Sequence, residues 1–183
     1  LSPEEAALVL ISAPWDTTVA QRSGSSFAPD AIIEASRSVD FFEPMAPYSY
    51  RKGIATAPVD YTIQDMAHRL RSDAERVIKL SHQAKLSTLD ALSLERRLKR
   101  VNEASVIVND NIYEQSKHWL EMGKIVGLVG GDQSTAYGHI RAVAEQAAAG
   151  NFAGPAVSSM RELMDYYSSV FGILSNCAKR ELD

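Results

Sequence analysis

Two short apolar runs, far apart in the chain, constrain the fold more than any other feature of this sequence. Residues 7–13 read Ala-Leu-Val-Leu-Ile-Ser-Ala and are followed by Pro14, and residues 124–129 read Lys-Ile-Val-Gly-Leu-Val. Continuous apolar runs of this length are typical of strands that are buried on both faces of a parallel sheet. A weaker strand is predicted over residues 53–59.

Helical periodicity occupies much of the chain between and after these strands. Apolar residues recur every three or four positions over residues 63–78, where Thr62 is the predicted N-cap, and again over 94–112. Asn109-Asp110-Asn111 predicts a cap or break within the second stretch. The alternation of strands and helices predicts an α/β fold with a parallel sheet.

The chain is predicted to consist of an α/β region at residues 1–154 and a C-terminal part at 155–183. The C-terminal part carries an amphipathic helix, at about residues 158–172, that belongs to the same domain or binds a partner. Such a helix could cover an exposed edge of the sheet.

Composition excludes several classes of protein. The 183 residues are 45% hydrophobic and 23% charged, as in a globular domain, and the net charge of −4 argues against nucleic-acid binding. No apolar run approaches the roughly 20 residues that span a bilayer. The sequence has a single cysteine, Cys177, and an acidic N-terminus that lacks the features of a signal peptide. We therefore expect a cytoplasmic protein.

The strongest local motif is Gly130-Gly131-Asp132-Gln133-Ser134, which directly follows the second buried strand. Ligands of open α/β sheets bind outside the carboxyl ends of the strands, and glycines there allow a ligand to approach the backbone closely. The same five residues also fit a tight turn in which Asp132 or Ser134 caps the next helix. The motif alone leaves both interpretations open.

Other polar groups give weaker signals. None of the four histidines has a second ligand at a spacing typical of metal sites, so we interpret them as surface or half-buried helix residues, namely His68, His82, His118 and His139. A basic cluster at residues 96–100 is interpreted as a solvated helix face, with binding of an acidic partner as the alternative.

Three stretches together resemble the ureohydrolase family, which comprises arginases, agmatinases and formimidoylglutamases. Residues 14–18 and 24–32 resemble the family's first-strand loop and its G-x-x-F-G-P-x-A-I helix start. Residues 126–142 resemble its strand, metal loop and following helix. The order of the three stretches makes the resemblance more specific than any single motif.

The resemblance implies a three-layer α/β/α domain around a parallel sheet, of which this chain would form a shortened version. It also implies assembly into oligomers and a pair of Mn²⁺ ions whose shared hydroxide attacks a guanidinium or related carbon. Two cations lower the pKa of a bound water and hold it in line with the substrate. The family supplies the metal ligands from G-G-D-H, D-A-H-x-D and a later D-x-D.

This sequence departs from the ligand pattern. Gln133 stands where the family has the histidine of G-G-D-H, and the 183 residues contain no D-x-H-x-D and no D-x-D. An amide oxygen is a weaker ligand for a transition metal than an imidazole. We therefore expect no bound cofactor, metal ligand or catalytic residue in this chain as it stands.

Three functions remain open at this point. The first is a non-catalytic family member, either truncated or with a structural or regulatory role, in a homo-oligomer or bound to a family relative. The second is an active manganese-dependent hydrolase of a guanidino compound whose missing ligands lie in further sequence. The third is a small-molecule binding module that uses the same pocket. Residues expected to line the pocket are the metal-loop positions Gly130, Gly131, Asp132, Gln133 and Ser134, and the substrate-side positions Trp15, Asp16, Arg22 and Gly24.

Overall fold

A three-stranded parallel sheet lies at the centre of the computed structural model, which describes residues 1–19, 23–39, 44 and 48–150. Strand β1 (Leu8–Ala13) lies between β2 (Ile54–Thr56) and β3 (Ile125–Gly130), so the order is β2-β1-β3. Leu8 is in register with Ile54 on one side and with Ile125 on the other. The predicted α/β fold with a parallel sheet is confirmed, and the sheet described here is small.

Four α-helices accompany the sheet in the described residues. They are α1 (Ala28–Ala35), α2 (Tyr61–Ser81), α3 (Thr88–Glu121) and α4 (Ala136–Ala148). Helix α1 lies in the connection from β1 to β2, and α2 and α3 form the connection from β2 to β3. None of the described helices is long and apolar enough to cross a membrane.

The chain divides into two units, residues 1–143 and 144–183. Within the second unit only residues 144–150 are described. The helix predicted at about residues 158–172, Cys177 and the predicted boundary at 154/155 lie outside the described residues.

The core lies around β1, because the central strand has neighbours at both edges and a helix against it. Val9, Ile11 and Ala13 are at most 1% exposed. Helix α3 packs on β1 and β3. The buried residues of α3 lie between 101 and 119 and recur at steps of three or four, apart from one adjacent pair; they are Val101, Ala104, Val108, Ile112, Tyr113, Ser116 and Trp119.

Strand β3 is less buried than its sequence predicts. The side chain of Ile125 is 64% exposed, and the other five residues of β3 are half-buried. Among the described strands β3 pairs with β1 alone, so it lies at an edge of this sheet. An apolar run indicates a strand but does not give its place in the strand order, and the prediction of full burial was therefore wrong for β3.

The start of α2 also differs from the prediction. Asp60, not Thr62, is the N-cap, and its Oδ1 accepts hydrogen bonds from the Thr62 amide at 3.0 Å and the Thr62 hydroxyl at 2.6 Å. A carboxylate at this position satisfies a backbone N–H that has no partner within the helix.

Helix α3 runs without a break through Asn109-Asp110-Asn111, so the predicted interruption was wrong. The side chains of both asparagines form hydrogen bonds, either to a residue outside the helix or along it. Asn109 Oδ1 accepts from the Gly138 amide at 3.0 Å, while Asn111 Oδ1 accepts from Gln115 Nε2 at 2.6 Å. Tertiary contacts of this kind offset the low helix propensity of Asn.

Two cations of α3 converge on one buried carboxylate of α2. The Asp73 side chain is 7% exposed and forms ion pairs with Arg97 and with Arg100, the latter at 2.6 Å. The interpretation of residues 96–100 as a merely solvated face was therefore incomplete, since the two arginines join α3 to α2.

We predict that Asp73→Asn lowers the free energy of unfolding by about 2 kcal/mol, because the neutral amide leaves two guanidinium groups without their anion. The measurement is urea unfolding followed by circular dichroism. Asp65→Asn, an exposed carboxylate on the same helix, is the matched control and should change stability by less than about 0.5 kcal/mol. Equal effects of the two substitutions would contradict the assigned role of Asp73.

Candidate functional site

The candidate site lies where β1 and β3 end, at the same edge of the sheet. Backbone pairing continues past both strands: the Gly131 amide donates to the Ala13 carbonyl at 2.9 Å, and the Asp132 amide donates to the Trp15 carbonyl at 2.8 Å. The loop after β1 and the loop after β3 are thus brought side by side, although they are more than 110 residues apart in sequence.

Gly131 is required at this junction because the two backbones approach closely. A Cβ atom at position 131 would overlap the Trp15 carbonyl oxygen and lie 2.6 Å from the Trp15 carbonyl carbon. Since both obstacles are backbone atoms, they cannot rotate away as a side chain could. The second glycine of the motif therefore has a packing role in this chain.

The carboxylate of Asp132 connects the two loops. Its Oδ1 accepts from the Ser134 amide at 3.0 Å and the Ser134 hydroxyl at 2.6 Å, which caps a short 3-10 turn at Gln133–Thr135. Its Oδ2 accepts from the Thr18 amide at 3.1 Å and the Thr18 hydroxyl at 2.5 Å. Of the two caps that the sequence allowed, Asp132 and Ser134, the structure has Asp132, and the bonds to Thr18 are additional.

The loop after β1 is fixed by two further groups. The carboxylate of Asp16, which is 3% exposed, accepts from the Gly24 amide at 2.6 Å. From α2, Arg71 Nη1 donates to the carbonyls of Asp16, Thr17 and Val19 at 3.3, 3.2 and 2.8 Å. These bonds give the backbone carbonyls of the loop a partner from α2; the Asp16 carbonyl also accepts from the Val19 amide at 3.3 Å.

A cleft of about 600 Å³ opens between the two loops. Its lining consists mainly of small and hydroxyl-bearing residues, namely Thr18, Val19, Ser25, Gly131, Asp132, Gln133 and Ser134. Gln133 is exposed there. Ser25 Oγ is buried and has no hydrogen-bond partner within the described part of the chain. The lining thus carries several hydroxyl groups although most of its surface is apolar, and the one carboxylate among its described residues is engaged in hydrogen bonds.

The structure separates the predicted site residues into two groups. Gly131 to Ser134 line the cleft, and Gly130 precedes them as the last residue of β3. Trp15 is fully buried, and Asp16 and Gly24 hold the loop together, so none of these three lines the cleft. Arg22 lies outside the described residues.

Sequence reasoning did not single out Arg71, Thr18 or Ser25. Arg71 lies on α2, more than 50 residues from the carbonyls that it binds. Its position in the helical pattern does not distinguish it from any other half-buried arginine. Thr18 and Ser25 belong to stretches that supported the family resemblance, but no local pattern indicates which hydroxyl turns toward Asp132 or the cleft.

The residues of the cleft do not fit the manganese pair that the resemblance implies. The four hydrogen bonds to Asp132 occupy the acceptor sites that a carboxylate has available. In the described part of the chain no group of three or more His, Cys, Asp or Glu residues is placed to hold a metal ion. No reaction step through a metal is derived for this site.

The histidines lie away from the cleft lining. His68, His82 and His118 are exposed on helices or at a helix end. His139, on α4, is half-buried, and its Nδ1 lies 3.0 Å from the Ser116 hydroxyl of α3. Burial lowers the pKa of His139, because the charged imidazolium loses solvation.

We predict that Gly131→Ala lowers the free energy of unfolding by about 3 kcal/mol, because the added methyl collides with backbone. Gly127→Ala, within β3, is the matched control: its Cβ would meet only the Cδ2 atom of Leu10, the far end of a flexible side chain, at 2.7 Å, and should cost about 1 kcal/mol or less. Denaturant unfolding of both variants measures the difference. A Gly131 variant as stable as the Gly127 variant would contradict the close approach.

We predict that His139 makes stability depend on pH. Its pKa in the folded protein lies below the unfolded value of about 6.5, so its contribution is complete above that pH and is lost as the pH falls through the folded pKa. Free energies of unfolding measured from pH 7.5 to 5 should therefore fall less in His139→Gln than in the unaltered protein. His68→Gln, at an exposed position, is the control. An unchanged pH dependence in His139→Gln would refute the prediction.

The comparisons with known proteins agree with this geometry. The arginase family model matches residues 6–155 of the 183, a range that contains the sheet, both loops and all four helices. Neither the curated proteins nor the solved structures gave a match. The family match includes the motif at residues 130–134 and the loop that Asp132 binds. The chain belongs to the arginase family.

Proposed function

We propose that this chain is a non-catalytic member of the arginase family with a structural or regulatory role. The observation that carries the proposal is that Gln133 stands where the family has a histidine ligand, while the neighbouring Asp132 carboxylate is engaged through both oxygens by Thr18 and Ser134. A carboxylate held in this way stabilises the junction of two loops. It is not available to bind a cation or to accept a proton from a substrate.

The proposed role is exercised in an oligomer, with further copies of the chain or with a family relative. We propose no nucleic-acid partner, since the net charge is −4, and no membrane partner. The single cysteine supports the cytoplasm as the proposed location.

A second candidate is an active manganese-dependent hydrolase of a guanidino compound. The family match over residues 6–155 favours it, because the matched range retains the strand-end architecture on which the family's chemistry depends. This function requires further ligands, with D-x-H-x-D as the expected pattern, from sequence beyond the 183 residues.

We predict that the protein, purified with verified intact mass after growth with added Mn²⁺, contains no stoichiometric manganese. The Gln133→His variant should bind Mn²⁺ at most weakly and should release no urea or ammonia from guanidino substrates. One imidazole restores only one ligand of a site that needs several. Plasma emission spectrometry measures the metal, and Gln83→His, on the exposed link between α2 and α3, controls for adventitious binding by a new histidine.

About two Mn²⁺ per chain in the unaltered protein would overturn the proposal. It would favour the hydrolase, because the family's chemistry uses two metal ions. Manganese-dependent hydrolysis by Gln133→His would show that the remaining ligands are present after all.

A further inference from the structure

Helix α4 is attached to the rest of the described chain by few buried groups. Of its 13 residues only Gly138 and Ala142 are buried, and neither has a large apolar side chain. Burial of apolar surface therefore contributes little to the attachment of this helix, since its contribution scales with the area removed from water. A segment with few buried apolar contacts opens locally at a lower free energy than the whole chain unfolds. The attachment of α4 depends mainly on its contacts with α3.

Two of these contacts join α4 to the middle of α3 without a histidine. At Gly138 the backbones approach so closely that a Cβ atom would lie 2.1 Å from the Asn109 carbonyl oxygen, and the Gly138 amide donates to Asn109 Oδ1 at 3.0 Å. Three residues later, Arg141 Cζ lies 3.7 Å from the centroid of the Tyr113 ring, and Arg141 Nη1 lies 3.4 Å from the Asp110 carboxylate. Histidine is the side chain that ordinarily changes charge between pH 5 and 8, so neither contact responds to pH in that range through an imidazole.

A third contact, between His139 of α4 and Ser116 of α3, does contain an imidazole. His139 Nδ1 lies 3.0 Å from the Ser116 hydroxyl oxygen, and Ser116 is fully buried. The imidazole itself is half-buried, so its charged form loses part of the solvation that it has in water. Packing of α4 against α3 therefore favours the neutral imidazole.

Neighbouring charges do not offset this loss of solvation. The titratable and charged groups on the facing parts of the two helices are Asp110, Tyr113 and Lys117 on α3 and Arg141 and Glu145 on α4. Asp110 is paired with Arg141 at 3.4 Å, and Lys117 lies 4.0 Å from Glu121. In the described part of the chain His139 forms no ion pair with a carboxylate, and burial is the cause that lowers its pKa.

We propose that mildly acidic solution releases α4 from α3, with protonation of His139 as the trigger. In the released helix the imidazole is exposed to water, which solvates its charged form. Release reaches the candidate site, because α4 directly follows the turn Gln133–Thr135 that Asp132 caps. The helix thus couples to pH the side of the cleft that is formed by the loop after β3. The inference holds whether or not the chain is catalytic.

The direction of the effect follows from proton binding. The exposed imidazole has an ordinary pKa of about 6.5, and the packed imidazole of His139 has a lower pKa. Below about pH 6.5 the released form therefore binds more protons than the packed form. The equilibrium constant for release rises as the pH falls, by up to about 10-fold per pH unit, until the pKa of the packed form is reached.

The test is amide hydrogen exchange of the full chain, followed by mass spectrometry at pH 7.5 and pH 5.5 and corrected for the intrinsic exchange rates. Between the two pH values, protection of the α4 amides should fall at least about 3-fold more than protection of the α2 amides. The His139→Gln variant keeps a side chain that can bond to Ser116 but cannot become charged, and it should remove this difference. His118→Gln, at an exposed position on α3, is the control and should leave the difference in place.

Circular dichroism of each variant verifies that it is folded. Equal protection of α4 at both pH values, an equal fall of protection in α2, or an unchanged difference in His139→Gln would each overturn the proposal. A histidine NMR titration of the unaltered protein tests the same point without a substitution. A His139 resonance that titrates at or above about pH 6.5 would also overturn the proposal.

Discussion

The hydrogen bonds of the Asp132 carboxylate are the interaction on which the candidate site depends. They join the loop after β1 to the loop after β3, and Arg71 of α2 fixes the first of these loops from the other side. Bonds to a charged acceptor are stronger than bonds between neutral groups, and here four of them converge on one side chain. The edge of the sheet where β1 and β3 end is thus a hydrogen-bonded junction of two loops.

This use of Asp132 relates the family fold to the proposed function. The arginase-family match establishes descent and architecture, but a fold does not establish an activity, which has to be argued from the site. At the site, the cleft presents hydroxyl and amide groups, and its carboxylate is already satisfied. The proposal of a structural or regulatory role rests on these features and on Gln133 at the family's histidine position.

The helical connection between β2 and β3 is stabilised by different interactions from those that stabilise the sheet. Its buried apolar residues lie mainly where α3 contacts the sheet, from Val101 onward. Before that point the pairs Asp73–Arg97, Asp73–Arg100 and Arg76–Asp90 join α3 to α2. Ion pairs stabilise a partly exposed helix pair only modestly.

The sequence by itself determined the two main strands, the α/β class and the family, and it offered Asp132 as one of two possible caps of the glycine-rich turn. These follow from local signals: an apolar run, a helical period and a motif read in its order along the chain. Tertiary structure alone decided that β3 lies at an edge of the described sheet, that α3 continues through Asn109 to Asn111, and that Thr18 binds Asp132. Each of these depends on partners distant in sequence, and local propensities carry no information about which distant group will satisfy a given strand edge, amide or carboxylate.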